Sequence, residues 1–394
     1  NYLVLGFVNG IACGFSIPIS WTFGAKDYKE MRRYTANTVW LSILFAVVLT
    51  VVTVALTRAV LVWTNTPANI IDLADVYIRT IFAGIPLTLL YNVTSALMRA
   101  LGDSKRPLFF LLVASFLNIG LDLACIIVFD MGVFGAAFAT VFSQGVAGVG
   151  SLLYILRHYH ELRWSKDEGA FSLPHCAKLC SMGIPMGLQY SITAIGSIVL
   201  QSAVNTLGST YVAAVAAGAK LFQLLACPYD AMGAAMATYC GQNVGAGKLD
   251  RLSQGVRSCS LLGLVYALIA LGGMLLFAPK CAMLFLDPGE EQLALLVRLT
   301  TQYITTLAAF FFPLALVNIL RFSIQGMGYS MFAILAGVLE MLARTAVGGV
   351  FVPIFGYTAA CFASPAAWLC ADLFLLPACI HCIRRLRKLF PAMA

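Results

Sequence analysis

Charge is what this chain has least of. Only 11% of its 394 residues are Asp, Glu, Lys or Arg, while 61% are hydrophobic and the mean hydropathy is +0.89; a soluble domain carries about 25% charged residues. Too few charges are available to cover a water-facing surface, so a soluble enzyme is excluded. The hydrophobic residues come in runs of about 20, the length of one membrane-spanning helix. That excludes a single-span anchor and disfavours a β-barrel, whose strands alternate over about ten residues. Signatures of chemistry are also missing: there is no HExxH, no GxSxG, no P-loop and no Gly-rich dinucleotide fingerprint. Neither an enzyme nor built-in ATP hydrolysis is expected, and no cofactor is implied. Twelve cysteines are present, but Cys13, Cys125, Cys227, Cys361 and Cys370 sit in apolar runs, where a thiol behaves as a small hydrophobe. Cys379-Ile-His-Cys382 is a lone CxxC with no second half, so no metal site is expected.

What is present is a succession of eleven apolar runs bounded by charge, Gly or Pro, which predicts an all-α polytopic membrane protein. The one long hydrophilic interval, beginning at Arg157, divides the chain into an N-lobe over 1–160, a linker over 161–180 and a C-lobe over 181–394. Lys and Arg concentrate on the cytoplasmic side of bacterial membrane proteins. One set of alternating loops and ends holds eighteen of them, among them Lys26, Arg32, Arg99, Lys105, Arg163, Lys248 and Arg385; the other holds only Arg58, Arg79, Lys280 and Arg298. The first set therefore faces the cytoplasm, together with the C-terminus. The net charge of +8 is thus spent on orientation, and no nucleic-acid partner is implied.

The chain repeats itself. Gly24-Ala25 recurs as Gly245-Ala246, Leu101-Gly-Asp-Ser104 as Met327-Gly-Tyr-Ser330, and Phe134-Gly135 with Ser143 as Phe355-Gly356 with Ser364. Six helices separate the paired landmarks, so the sequence predicts two six-helix bundles of one orientation, related by an axis along the membrane normal. The second half needs more residues ahead of Gly245 than stand ahead of Gly24. About 49 residues and a first helix are therefore expected before Asn1, making twelve helices in all.

Ionisable groups inside a bilayer cost at least about 2.5 kcal/mol each, which makes every one a functional candidate. Asp122 lies well inside its helix, with Asn118 one turn before it on the same face. Such a carboxylate can exchange a proton or a small cation, or serve an interhelical hydrogen bond. Glu340 and Arg344, at i,i+4, are expected to neutralise each other. Lys220 and Asp230 share a helix but point about 80° apart, so each either lines a cavity or finds a partner on a neighbouring helix. Asp372 is expected to reach water near the cytoplasmic end. Pro86, Pro185, Pro228 and Pro313 mark possible bends, and the Gly6, Gly10, Gly14 and Gly183, Gly187 series predict close helix packing.

With these landmarks assembled, the chain resembles the multidrug and toxic compound extrusion (MATE) transporters, and within them the DinF-like bacterial branch. The segment Gly241-Gln-Asn-Val-Gly-Ala-Gly-Lys248 carries the resemblance, with Phe23-Gly-Ala-Lys-Asp27, Ala100-Leu-Gly-Asp-Ser104 and Gly183-Ile-Pro185. The likeness assigns residues 1–160 to the family's second to sixth helices and 181–394 to its seventh to twelfth, with the first absent. It implies a cation-coupling site at Asn118 and Asp122, surrounded by Asn92, Thr140 and Tyr77. Gln189, Thr193, Lys220, Asp230 and Asn318 are candidate cavity-lining residues; at an offset of 226, Asn318 is the counterpart of Asn92, while Asn118 and Asp122 fall on Arg344 and Gly348. The acidic C-lobe site of the NorM-like branch looks absent. The implied function is secondary-active efflux of small organic, often cationic compounds in exchange for H⁺ or Na⁺, by a monomer in the bacterial plasma membrane. A lipid or lipid-linked-sugar flippase of the same wider superfamily is the alternative.

Overall fold

The computed structural model describes residues 2–63, 69–286, 289 and 292–389; Asn1 lies outside them. Every regular element among the described residues is helical. Eleven of them, counting each of two bent pairs as one, are long and apolar enough to cross a membrane, and the fold is that of an all-α polytopic membrane protein. The chain divides into two compact units, residues 1–187 and 188–394.

The first unit runs α1 (Tyr2–Gly24), α2 (Tyr28–Trp63), α3 (Ile71–Ala83), α4 (Ile85–Ala100), α5 (Lys105–Leu123) and α6 (Gly132–His158). A linker follows, and then α7 (Leu173–Asn205), in which the division between the units falls. The second unit continues with α8 (Ser209–Gly245), α9 (Asp250–Met283), α10 (Leu293–Ala309), α11 (Phe311–Gly326), α12 (Ser330–Ala346), the short α13 (Val352–Phe355) and α14 (Tyr357–Leu389). Helix α7 begins inside the stretch read as linker. His175, Lys178 and Ser181 interrupt the apolar run there, although Pro174 in the first turn favours a helix start.

The two units use one order of parts. In each, a long helix is followed by a pair bent at its middle, α3/α4 by 44° and α10/α11 by 50°. Pro86 and Pro313 stand just after the two breaks, where a missing N–H and a fixed φ suit the start of a new helix segment. In each, the next helix ends in a π-helical turn, Ala124–Val128 after α5 and Val347–Phe351 after α12. The helix ends repeat down to single hydrogen bonds. After α1 the amide of Asp27 donates to the Thr22 carbonyl at 2.9 Å, and after α8 that of Lys248 donates to Asn243 at 2.9 Å. After α4 and α11, Asp103 bonds Met98 at 3.0 Å and Tyr329 bonds Ile324 at 3.1 Å. These caps require a left-handed residue. Gly102, Gly328 and Gly247 supply it with φ of 89°, 95° and 70°, but Lys26 takes the position at φ 59° without a glycine's freedom.

Each unit buries its own core. Val8, Ile19, Met31, Ile85, Leu89 and Met98 close the first; Tyr229, Leu307, Phe311, Ile319, Trp368 and Leu375 close the second. Gly10 and Gly14 of α1 meet α7 at Gly183 to Gly187, toward the middle of that helix: a Cβ on Gly10 would lie 2.6 Å from the Met186 carbonyl oxygen and 2.7 Å from the Gly187 Cα, and one on Gly14 would strike Gly183. The glycine series is therefore a backbone-to-backbone contact. Several interior hydroxyls bond a carbonyl one turn back, as Thr35 does with Met31 at 2.9 Å and Ser323 with Ile319 at 2.6 Å. The outer face of α2 leaves Ile43, Val47 and Val51 exposed, which suits contact with lipid.

Candidate functional site

In the first unit α5 and α6 pack side by side. The Asn118 amide donates to the Thr140 hydroxyl at 3.4 Å, and that hydroxyl donates to the Ala136 carbonyl at 3.1 Å. Thr140 commits its only proton to its own backbone, so its oxygen is left to accept from Asn118. The Asn118 carbonyl oxygen is thereby directed to other work. One turn along α5, Asp122 presents a buried carboxylate oxygen, Oδ1, that has no hydrogen-bond partner among the described residues. It stands two residues before the π-helical turn at Ala124, a local widening that often occurs at functional positions. Asn92 on α4 and Tyr77 on α3 are half-buried. Among the described residues neither is hydrogen-bonded to Asn118, Thr140 or Asp122. The arrangement offers a carboxylate, an amide oxygen and a hydroxyl, the hard oxygen ligands that suit a proton or an alkali cation.

The second unit spends its interior charge differently. Glu340 of α12 is 2% exposed and is held between two guanidiniums, Arg321 of α11 and Arg344 one turn along α12 at 3.3 Å. The expected Glu340–Arg344 pair is thus half of a three-charge cluster. Asp372 of α14 is 6% exposed and lies within electrostatic reach of Arg321. The expectation that Asp372 reaches water is overturned: the last helix turns this residue inward, and its buried Oδ1 has no hydrogen-bond partner among the described residues. Beside the cluster, Gln325 of α11 donates to Gln189 of α7 at 2.5 Å, with both side chains buried.

The remaining candidates are dispersed. Asn318 is buried and gives its amide to the Leu314 carbonyl at 3.2 Å. Thr193 is half-buried, Lys220 is exposed along α8, and Asp230 of the same helix lies within electrostatic reach of Arg321 on α11. The Lys220 ammonium stands 5.9 Å from the centre of the Phe285 ring, a cation–π distance. Lys220 and Asp230 do not pair, as their facing predicted. The π-helical turns also refine the repeat: they lie 223 residues apart and set Asn118 and Asp122 against Met341 and Thr345, not against Arg344 and Gly348. In either register no carboxylate matches Asp122. Sequence reasoning missed Arg321 as the partner of Glu340. The signal was present, since Arg321 is one of only three basic residues inside the apolar runs.

Outside the bilayer the basic loops are fastened by specific pairs. Arg32 of α2 grips Glu168 of the linker through two bonds of 2.7 Å. Those bonds, with the Ser165 amide, hold the Glu168 carboxyl down at about 2. At the Gly102-Asp103-Ser104 turn, burial works to raise the Asp103 carboxyl. The Tyr159 hydroxyl at 2.6 Å and the amides of Lys105 and Arg106 outweigh it and leave the group below its ordinary value. Among the described residues no group of three His, Cys, Asp or Glu could hold a metal ion.

The family model for MatE matches residues 1–124 and 185–350. The chain belongs to the MatE family. This MatE chain is similar to the probable multidrug resistance protein YoeA of Bacillus subtilis (strain 168), with 27% identity over 296 residues, covering 73% of this chain and 64% of YoeA. It is also similar to the probable multidrug resistance protein YpnP of the same organism, with 33% identity over 262 residues, 63% of this chain and 56% of YpnP. The matches thus span less than two thirds of these curated relatives. Among solved structures it resembles a multidrug resistance MATE family transporter of the MOP superfamily in its outward-facing conformation. The TM-score is 0.91 at 20% identity, over 98% of this chain and 86% of that one. That likeness concerns the fold alone. Within this MatE chain, α7 carries Gln189 and Thr193, and the ionic cluster sits on α11 and α12.

Proposed function

We propose that this MatE chain is a secondary-active exporter of small organic, often cationic compounds. It exchanges them for H⁺ or Na⁺ with alternating access to the two sides of a bacterial plasma membrane, and its C-terminus is cytoplasmic. The observation that carries the reading is the partnerless buried oxygen of Asp122 beside the Asn118–Thr140 pair. A carboxylate in that position has two stable uses: it takes up a proton, or it holds a cation with the neighbouring amide and hydroxyl oxygens. Either event removes a negative charge from the interior of the first unit. The change biases the balance between conformations of a bundle already provided with a bend in α3/α4 and a π-helical turn in α5. Asn92 and Tyr77 would join the site in another conformation of the same helices. The relatives' names support export of drugs, and the low interior charge of the first unit supports carriage of organic cations.

The test is Asp122→Asn in the full-length protein, reconstituted in liposomes with an imposed pH or Na⁺ gradient. Gradient-driven efflux of a cationic dye should be lost, while membrane insertion and thermal stability are retained. Efflux at the native rate would remove Asp122 from the mechanism. Lipid scrambling independent of any gradient would favour a flippase.

A further inference from the structure

Three adjoining hollows in the first unit share the indole of Trp164. The largest, about 790 Å³, lies between the faces of α2, α4 and α6 and is walled by apolar side chains including Ala46, Leu90, Val93 and Ile155. A second of about 340 Å³ is formed by the linker residues Trp164, Ser165, Lys166, Gly169 and Ala170. A third of about 100 Å³ lies beside both; it shares Val39 and Ile43 with the large hollow and Gly169 with the linker hollow. An apolar hollow between the helices thus lies next to a more polar depression on the linker.

Each end has its own chemistry. Ile43 and Val47 at the rim of the large chamber are exposed on the outer face of α2, so its mouth opens sideways where lipid chains run. At the linker end Arg163 and Lys166 are both exposed. The Arg163 guanidinium spends one nitrogen on the Leu156 carbonyl at 2.8 Å and keeps further N–H donors. The nearest buried acid, Glu168, is neutralised by Arg32, so it does not oppose an anion there. Trp164 and Trp40 frame the junction, and the Trp40 indole donates to the Gly169 carbonyl at 3.1 Å. Tryptophan prefers the level of lipid headgroups, which places the junction at the membrane surface and the apolar chamber beneath it.

We propose that this crevice holds one anionic phospholipid of the leaflet on the linker side. An acyl chain fills the space between α2, α4 and α6, and the phosphate rests on Arg163 and Lys166. The site is separate from the Asn118–Asp122 group and does not depend on the transport reading. Basic pockets between membrane helices recognise lipid phosphates by the same charge complementarity, and the chamber's volume is that of a ligand pocket. The bound lipid would fasten the linker to the helices it crosses.

The test is native mass spectrometry of the full chain released from nanodiscs of phosphatidylcholine with added phosphatidylglycerol. The native protein should retain one phosphatidylglycerol in preference to phosphatidylcholine. Arg163→Ala with Lys166→Ala should weaken that retention about 30-fold, the equivalent of about 1 kcal/mol for each basic side chain. Ala46→Phe, which fills the apolar chamber, should abolish retention of either lipid. Because it alters a packed wall, the double variant, whose side chains are exposed, carries the test on its own. Equal retention of the two lipids by the native protein, or unchanged retention by the double variant, would overturn the proposal. So would displacement of the lipid by millimolar inorganic phosphate, which would reduce the site to an anion contact without a chain.

Discussion

Glu340→Gln replaces a carboxylate by an amide of the same shape at a position 2% exposed, between the guanidiniums of Arg321 and Arg344, each 5% exposed. The native cluster offsets the desolvation of three charges by direct attraction. The variant keeps two desolvated cations, removes the anion between them and leaves them repelling each other. Losing one partner of a buried pair costs about 3–5 kcal/mol. For a unit of the size of residues 188–394, each kcal/mol moves the midpoint by about 2–4 °C. The expected fall is therefore about 10 °C in thermal unfolding of the purified full chain followed by tryptophan emission. The converse variant removes the charges together: Arg321→Met, Glu340→Leu and Arg344→Met, with Asp372→Asn and Asp230→Asn added because both carboxylates interact with Arg321. Replacing a whole buried ionic cluster by apolar groups is typically neutral or stabilising, so this combination should unfold within a few degrees of the native chain. A Glu340→Gln midpoint unchanged from native, or a combined variant as unstable as the single one, would refute the reasoning.

Lys26→Gly should stabilise the first unit by about 1 kcal/mol, because it removes the cost of a left-handed lysine, and amide exchange at the α1–α2 turn should slow accordingly; an unchanged exchange rate would count against the strain. Gly14→Leu should prevent close packing of α1 on α7 and reduce the monodisperse yield from membranes severely, while Gly272→Ala, with nothing within 4 Å of the added Cβ, should be harmless. The Arg32–Glu168 clasp has a depressed carboxylate, so its stabilisation is complete above the ordinary Glu range near about 4.3 and is lost as pH falls toward about 2. Hydrogen-exchange protection of linker residues 159–172, corrected for the intrinsic pH dependence of exchange, should be level from pH 7 to 5 and decline below about 4, and Glu168→Gln should lack that protection at neutral pH; an acid-induced loss identical in Glu168→Gln would assign it to another group.

Class and repeat were legible because both are written in local pattern. Composition alone demands lipid, and the Gly-Ala and Gly-x-Ser landmarks mark helix ends whose hydrogen bonds recur in both halves. The prolines at 86 and 313 announced bends, although their size depends on packing that no local pattern carries. Helices α2, α8 and α9 run beyond their apolar stretches, because hydropathy reports the bilayer while the hydrogen-bonded helix continues into water. The polar interior was less legible. Asn118 and Asp122 are one turn apart and could be seen together, but the choice of Thr140 as the partner of Asn118 is a contact between two helices. Arg321 and Glu340 are likewise joined only by the packing of α11 on α12. Asp372 was misplaced because its distance from the helix end was read as depth, when it is the face of α14 that decides its burial.

The two units share a scaffold and differ in what they do with an interior carboxylate, and that difference is what makes the coupling proposal specific. In the second unit the acid most deeply set in the ionic cluster, Glu340, is balanced on both sides by arginine, so adding a proton there would strand two cations and disrupt the packing of α11 on α12. In the first unit no salt bridge among the described residues engages Asp122, and its neighbours Asn118 and Thr140 are neutral and already joined to each other. Neutralising Asp122 therefore breaks no existing ion pair and changes the local charge by a full unit. A group that couples ion entry to conformational change must be able to gain and lose its partner repeatedly without dismantling the core. Asp122 meets that condition and Glu340 does not, so substitution of the first should stop transport with the fold intact, and substitution of the second should act through the fold itself.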